Sequence, residues 1–230
     1  MPLHLAVDAG TGQRTEVEVD VHSAYNFGYA ARDTAGIEQH ITELQALGLP
    51  APSRLPAIYP IPADRIRNAK HVTVSGDDTY GEVEFALINT ADGWLVTIAS
   101  DHTDLEVEKV NMAKAKATCP DIVGETAWRL DDVVEGWDDL VLRLWGRTPD
   151  GIEQLVQSGS VNHLLAPADL QRILIERGQV ALTPGTVVLS GTIDGAPTPG
   201  MRSWRATLED PCSGRLLELE YSLTTLDAEL

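Results

Sequence analysis

Residues Val74–Asp104, VSGDDTYGEVEFALINTADGWLVTIASDHTD, constrain the fold more than any other stretch of the chain. Val83, Phe85 and Leu87 alternate with Glu82, Glu84 and Ala86, the period-two signature of a strand with two unlike faces. Asp92-Gly93 supplies a turn and Leu95–Ser100 a return strand rich in β-formers, so the sequence predicts a hairpin. An isolated Glu-x-Glu is ordinarily a solvated strand face. Here two glutamates share a face with small Ala86 rather than with lysines, and the return strand runs directly into Asp101-His102-Thr103-Asp104.

Register decides whether these acids meet. A two-residue loop closed by Ala91 and Trp94 sets Glu84 opposite Asp101, and a four-residue loop closed by Asn89 and Trp94 sets Glu82 there instead. In both, the opposed side chains share a face, with Cα atoms about 4.5–5.5 Å apart. A three-residue loop without a bulge turns Asp101 to the other face. The apolar residues favour the first two registers, which stack Val83, Phe85 and Leu87 with Val96 and Ile98 as one core face. Glu82, Glu84 and Asp101 then crowd the opposite face, at a cost that a proton or a cation must relieve. Ligation by oxygen alone points to a hard divalent cation, Mg2+ first, then Mn2+ or Ca2+. His102 falls on the core face in these registers, where a hydrogen-bonded structural role is expected.

The length of 230 residues and a hydrophobic content of 43% suit one globular domain with a substantial core. A net charge of −18, from 35 acidic and 17 basic residues, argues against nucleic acid or an anionic membrane as partner. No apolar run approaches the length of a membrane span, and Met1-Pro2-Leu3 opens no signal-peptide pattern. Cys119 and Cys212 stand far apart without metal-site spacing, so a buried thiol at Cys119 and a reduced, cytoplasmic setting are expected.

Taken in order, residues 1–25 read as a hairpin with a solvated acidic face (Glu16, Glu18, Asp20), packed on a main body of residues 26–230. Tyr25–Asp33 is either a binding loop or a connector. Ile37, Ile41 and Leu44 mark an amphipathic helix that ends at Gly48 and sets His40 and Glu43 three residues apart, close enough to touch. The prolines from Pro50 to Pro62 suggest an ordered strap across the site. Leu105–Ala117 reads as one helix carrying Lys116, ended by Cys119-Pro120. Leu140, Leu142 and Leu144 suggest a strand; Pro167 and Gly178 bracket a helix. A strand over Thr186–Ser190 and a hairpin of Trp204–Leu208 with Leu217–Leu223 close the chain. Many strands, few helices and no βαβ rhythm argue against a doubly wound sheet.

Several stretches between Arg32 and Tyr221 together resemble the fumarylacetoacetate hydrolase superfamily, and more closely a bacterial branch of it defined only as a domain of unknown function. Arg32-Asp33 followed by His40-Ile41-Thr42-Glu43-Leu44 resembles the branch's opening motif, with a His-x-x-Glu like the superfamily's catalytic dyad. Gly81-Glu82-Val83-Glu84 looks like the metal-binding strand, and Ser100–Asp104 like the segment of the third acidic ligand, for which Asp104 competes with Asp101. Lys116 falls where the family places a substrate-contacting lysine. Pro184-Gly185 and Gly191-Thr192 resemble its late carboxylate-binding stretch, although Ile193 stands in place of the usual proline.

The resemblance implies an α+β, β-rich fold: a mixed β-sheet roll or sandwich with a few short flanking helices, working as a homodimer. It implies a metal-dependent hydrolase or decarboxylase that cleaves a C–C bond in a small 2-oxo or β-dicarbonyl acid. A hydratase or tautomerase of an oxo- or hydroxy-dienoate, or an inactive small-acid binder, are the alternatives. The residues it implies are Glu82, Glu84 and Asp101 for the cation, His40, Glu43 and Lys116 for catalysis, and Arg32, Gly191 and Thr192 for a small carboxylate substrate.

Overall fold

A computed structural model describes residues 2–10, 12–33, 52–178 and 180–226. From the N-terminus the chain forms β1 (Leu3–Asp8), β2 (Arg14–Val19), β3 (Ser23–Gly28), β4 (Ala57–Ile61), β5 (Ile66–Arg67) and β6 (His71–Ser75). The long hairpin of β7 (Thr79–Thr90) and β8 (Gly93–Asp104) comes next, then helices α1 (Leu105–Val110) and α2 (Met112–Thr118). Strands β9 (Asp121–Val123), β10 (Thr126–Arg129), β11 (Val141–Arg147) and β12 (Glu153–Ser160) lead to helix α3 (Pro167–Gly178). Strands β13 (Thr186–Leu189), β14 (Ser203–Asp210) and β15 (Arg215–Leu226) complete the described chain.

These strands build two mixed sheets. Ten belong to a sheet of order β2-β1-β10-β8-β7-β13-β3-β4, with β9 beside β8 and β5 beside β9; the other five run β12-β11-β14-β15-β6. The N-terminal hairpin is hydrogen-bonded into the edge of the larger sheet through a parallel β1–β10 pair. Glu16, Glu18 and Asp20 are exposed. The fold is thus β-rich with few short helices, as the alternating segments imply.

The β7–β8 hairpin is the common wall of two cores. Val83, Phe85, Leu87, Val96 and Ile98 face the five-stranded sheet and pack with Leu142, Leu144, Trp204, Leu208 and Leu217. Ala86, Ile88, Leu95 and Ala99 face the other way, into a second core with Leu3, Leu5, Val187 and Leu189. The larger sheet curls round this second core, so both faces of β7 are dry and small residues recur on the concave side. Each fully buried Leu, Ile, Phe or Val contributes roughly 1.5–3 kcal/mol, and the hairpin is fixed in place by side chains on both faces.

Three expectations need correction. The hairpin turn is Ala91-Asp92, because Thr90 and Gly93 still pair and Gly93 adopts φ +109°. Leu105–Ala117 is two helices, since Asn111 is extended and its side chain caps the second by accepting from the Lys114 N–H at 2.9 Å. Tyr25–Asp33 is not a loop at its start: β3 occupies Ser23–Gly28, paired with β13 and β4. The proline-rich strap contains an edge strand, β4, whose Pro60 is tolerated at the sheet margin because it has no N–H to offer a further partner. The expected helix at Ile37–Leu44, with His40 and Glu43, lies outside the described residues.

Candidate metal centre

The hairpin register sets Glu82 directly opposite Asp101 and Glu84 opposite Ala99, the pairing of a loop closed by Asn89 and Trp94. Odd positions of β7 and even positions of β8 are committed to the inter-sheet core. Glu82, Glu84 and Asp101 are therefore left together on the concave face. One oxygen from each lies within 4.8 Å of the others, the group of acidic side chains among the described residues that could hold a metal ion. Asp104 serves elsewhere: its Oδ1 accepts the N–H groups of Glu106 and Val107 at 3.0 Å each and caps α1.

Glu84 and Asp101 are fully buried and the Glu82 side chain is only 15% exposed. Lys116, from α2, lodges its ammonium among them, donating to Glu82 Oε2 at 2.7 Å and to Asp101 Oδ2. Asn26, from β3, donates from Nδ2 to Asp101 Oδ2 at 3.0 Å and reaches Glu84 Oε1 at 3.5 Å. The Gly191 N–H donates to Glu84 Oε2 at 3.0 Å. Asp121 pairs with Asp101 across β9 and β8, and neither of its carboxyl oxygens has a hydrogen-bond donor among the described residues.

Burial and mutual repulsion set the protonation of this group. Burial, opposed chiefly by Lys116, pushes the Glu82 carboxyl up to about 6. Burial and then the Asp101 charge hold Glu84 and Asp121 well above the ordinary carboxylate range. Asp121, paired opposite Asp101, therefore gives up its proton less readily than an ordinary aspartate. Burial alone would lower Lys116, but Asp101, Glu82 and Glu84 outweigh it and keep the amine protonated. A cation fits such a centre. Its donors are carboxylate oxygens, its carboxylates are short of positive charge, and the Lys116 ammonium already stands as a cation between two of them. A cluster of carboxylate oxygens is the donor set that hard cations such as Mg2+ and Ca2+ take.

This protonation makes stability depend on pH. A carboxyl raised from 4.5 to about 6 binds its proton more tightly in the folded state. Its stabilising contribution, about 2 kcal/mol at 1.36 kcal/mol per pKa unit, is present below its unfolded value and lost as pH rises through 6. Glu84 and Asp121 add to the trend in the same direction. The melting temperature of cation-free protein should therefore fall between pH 5 and pH 8, and added Mg2+ should restore it at pH 8. A flat profile, or one rising over that window, would contradict this protonation scheme.

Other residues singled out in the sequence have different partners. The Gly191 N–H, expected at a substrate carboxylate, holds the protein's own Glu84. Gly191 has φ +78°, and an added Cβ would come 2.5 Å from the Phe27 carbonyl oxygen, so the loop's approach to β3 requires glycine. Thr192 Oγ1 donates to the Val83 carbonyl at 2.8 Å and accepts from Gln157 Nε2 at 2.9 Å. Arg32, expected at the substrate, forms a two-pronged pair with Asp138 and donates to the Leu164 carbonyl, which fixes the chain after β3 to the segment before α3. His102 is buried on the core face with Nδ1 at 3.0 Å from the Tyr221 hydroxyl, and burial lowers it to about 4, so it is neutral. Cys119 is a buried thiol pushed up to about 12.

Two open cavities, of about 460 Å³ beside Lys70, Glu218 and Glu220 and about 350 Å³ beside Arg65, His71 and Asp104, are lined by none of the three acids.

The fold and centre define a β-rich scaffold that buries an acidic group able in principle to hold a cation on the concave side of a curled sheet. Residues 27–221 match the model of the family described as "Protein of unknown function (DUF2848)", and the chain belongs to that family. No curated protein sequence matches the chain. Among solved structures, Cg1458 shares the fold at a TM-score of 0.63 and 14% identity, over 96% of this chain and 88% of that one. So does 2-keto-3-deoxy-D-arabinonate dehydratase complexed with magnesium and 2,5-dioxopentanoate, at 0.62 and 16%, over 92% of this chain and 77% of that one. Its apo form matches at 0.62 and 16%, over 94% and 79%. At such identities the likeness is one of fold.

Proposed function

We propose that this chain is a divalent-cation-dependent enzyme of the fumarylacetoacetate hydrolase type, acting on a small 2-oxo acid in the cytoplasm, with Mg2+ as its cation. The observation that carries the reading is the buried group of Glu82, Glu84 and Asp101, whose oxygens lie within 4.8 Å of one another, with the Lys116 ammonium against Glu82 and Asp101. When bound there, the cation would supply the positive charge that a 2-oxo carboxylate needs to chelate and to take on enolate character. Glu82, Glu84 and Asp101 would hold it. Gly191 and Asn26 are positioning residues, since each fixes a carboxylate oxygen through an N–H. Thr192, tied to β7 through Val83, keeps the Gly191 loop in register.

In the leading form of the proposal the reaction is cleavage of a C–C bond, by hydrolysis or decarboxylation, with His40 and Glu43 as the dyad that removes a proton from water. Dehydration or hydration of a hydroxy or oxo acid is the second reading. Lys116 favours it: an ammonium already in the centre can hand its proton to a leaving hydroxyl. The test is purified protein with Mg2+ and small 2-oxo and acylpyruvate acids, products being read by mass. His40→Ala should keep Mg2+ binding while lowering hydrolysis about a hundred- to ten-thousand-fold, and Glu43→Gln should lower it less. Normal turnover in His40→Ala would move the assignment to elimination or addition of water. Absence of both Mg2+ binding and turnover would end the enzymatic reading. Homodimerisation is a separate proposal, read by sedimentation.

A further inference from the structure

The acidic centre addresses one end of a substrate, and any inference about the other end rests on that reading of the centre. Strands β3 and β4 form the wall beside it. Asn26, which reaches Glu84 and Asp101, is paired directly with Tyr59. Directly opposed residues in an antiparallel pair project to the same face, so Tyr59 stands on the side of the sheet that carries the triad. Its ring lies over Gly28, where an added Cβ would come 2.7 Å from Tyr59 Cε2. Tyr29 comes next at φ +55°, a costly conformation for a bulky side chain. Tyr80 stands two residues before Glu82 in β7, hence on the same face, and donates to Glu108 Oε2 of α1 at 2.6 Å.

Glu108, held at this wall by the Tyr80 hydroxyl, brings a negative charge to it. After burial, Glu108 and then Lys116 act on Tyr29, Tyr29 and then Lys116 and Glu108 act on Tyr59, and Glu82 and Glu108 act on Tyr80. Lys116 is the cation among these groups, and Glu82 and Asp101 already hold it. A second carboxylate at the substrate's far end would face Glu108 without a partner. A hydroxyl or carbonyl there would instead meet tyrosine hydroxyls and aromatic faces that suit a neutral, oxygen-bearing chain.

We propose that the substrate is a monocarboxylic 2-oxo acid whose far end is uncharged and oxygen-bearing, packed against Tyr59 and Tyr29 and facing Glu108. Specificity would then be set partly by exclusion, with Glu108 rejecting dicarboxylates.

Calorimetry on the full chain saturated with Mg2+ tests this with three probes: pyruvate, 2-oxoglutarate, and the 5-methyl ester of 2-oxoglutarate, which neutralises the far carboxylate. The ester should bind at least about tenfold tighter than 2-oxoglutarate, from like-charge repulsion at the wall. Glu108→Gln, which keeps an acceptor for the Tyr80 hydroxyl, should shrink that ratio to within about threefold. Pyruvate carries no far-end oxygen group and reports on the centre alone. If pyruvate fails to bind with Mg2+ present, the reading of the centre falls and this inference falls with it. If pyruvate binds but 2-oxoglutarate equals or exceeds the ester, or the ratio survives in Glu108→Gln, the wall does not select against charge.

Discussion

Glu84→Gln is expected to leave the fold standing and to weaken divalent-cation binding by about a hundredfold or more. Loss of a supporting hydrogen bond at a metal site typically costs 10- to 100-fold, and here a ligand itself is removed. Glutamine preserves the shape of a fully buried side chain and retains an oxygen for the Gly191 N–H. It removes a carboxyl that burial and Asp101 already hold well above the carboxylate range, and with it the cost of ionising that group as pH rises. The same variant should therefore melt higher than wild type when no cation is present, and the order should reverse in excess Mg2+. Calorimetric titration and thermal melts read the two effects separately. Asp104→Asn is the matching control: Asn can still cap α1, so cation affinity should not change. Undiminished binding in Glu84→Gln would remove Glu84 from the centre.

How much of this was legible in the sequence depends on whether a residue's role is set locally. The β7–β8 pairing was legible because period-two alternation and core volume leave few registers, and a one-residue slip would have put Glu82 and Glu84 into the inter-sheet core. The closing hairpin of β14 and β15, the helix bracketed by Pro167 and Gly178, and strand β11 were legible for similar reasons. Asn26 was not. It sits in Ser-Ala-Tyr-Asn-Phe-Gly, whose polar and aromatic mix reads as a loop, and only pairing with β13 and β4 makes it a central strand. The one available signal was an amide flanked by alternating aromatics, Tyr25 and Phe27.

Asp121 was missed for a related reason. It follows Cys119-Pro120, where a helix ends, and an acid after a proline ordinarily marks a solvated turn. Its burial arises because β9 is laid against the far end of β8, which brings Asp121 opposite Asp101. Gln157, which accepts from the Val83 N–H at 2.9 Å and donates to Thr192 and Ile193, is likewise the product of sheet-on-sheet packing. In Gly191-Thr192 the chemistry was legible but the partner was not. The loop does offer an N–H to a carboxylate, and tertiary packing decides that the carboxylate is Glu84.

Lys116→Met should separate the protein's two means of neutralising its acids, with effects of opposite sign. The Lys116 ammonium is almost fully buried and contacts both Glu82 and Asp101. Breaking a buried ion pair by removing one partner typically costs about 3–5 kcal/mol, because the remaining charge is left unpaired. Methionine fills a similar volume, so the loss should be electrostatic rather than a matter of packing. It should be largest near pH 8, where the carboxylates are ionised, and should shrink towards pH 5, where they take up protons. Cation binding should move the other way. Lys116 occupies oxygens that the cation would use, so its removal should tighten Mg2+ binding by about tenfold or more and let Mg2+ recover most of the lost stability. Turnover should nevertheless fall by about a hundred- to ten-thousand-fold if the ammonium is the proton donor. Urea melts at pH 5 and pH 8, with and without Mg2+, together with the turnover assay, distinguish the possibilities. Weaker Mg2+ binding in the variant would show that Lys116 orients the acids for the cation rather than standing in its place.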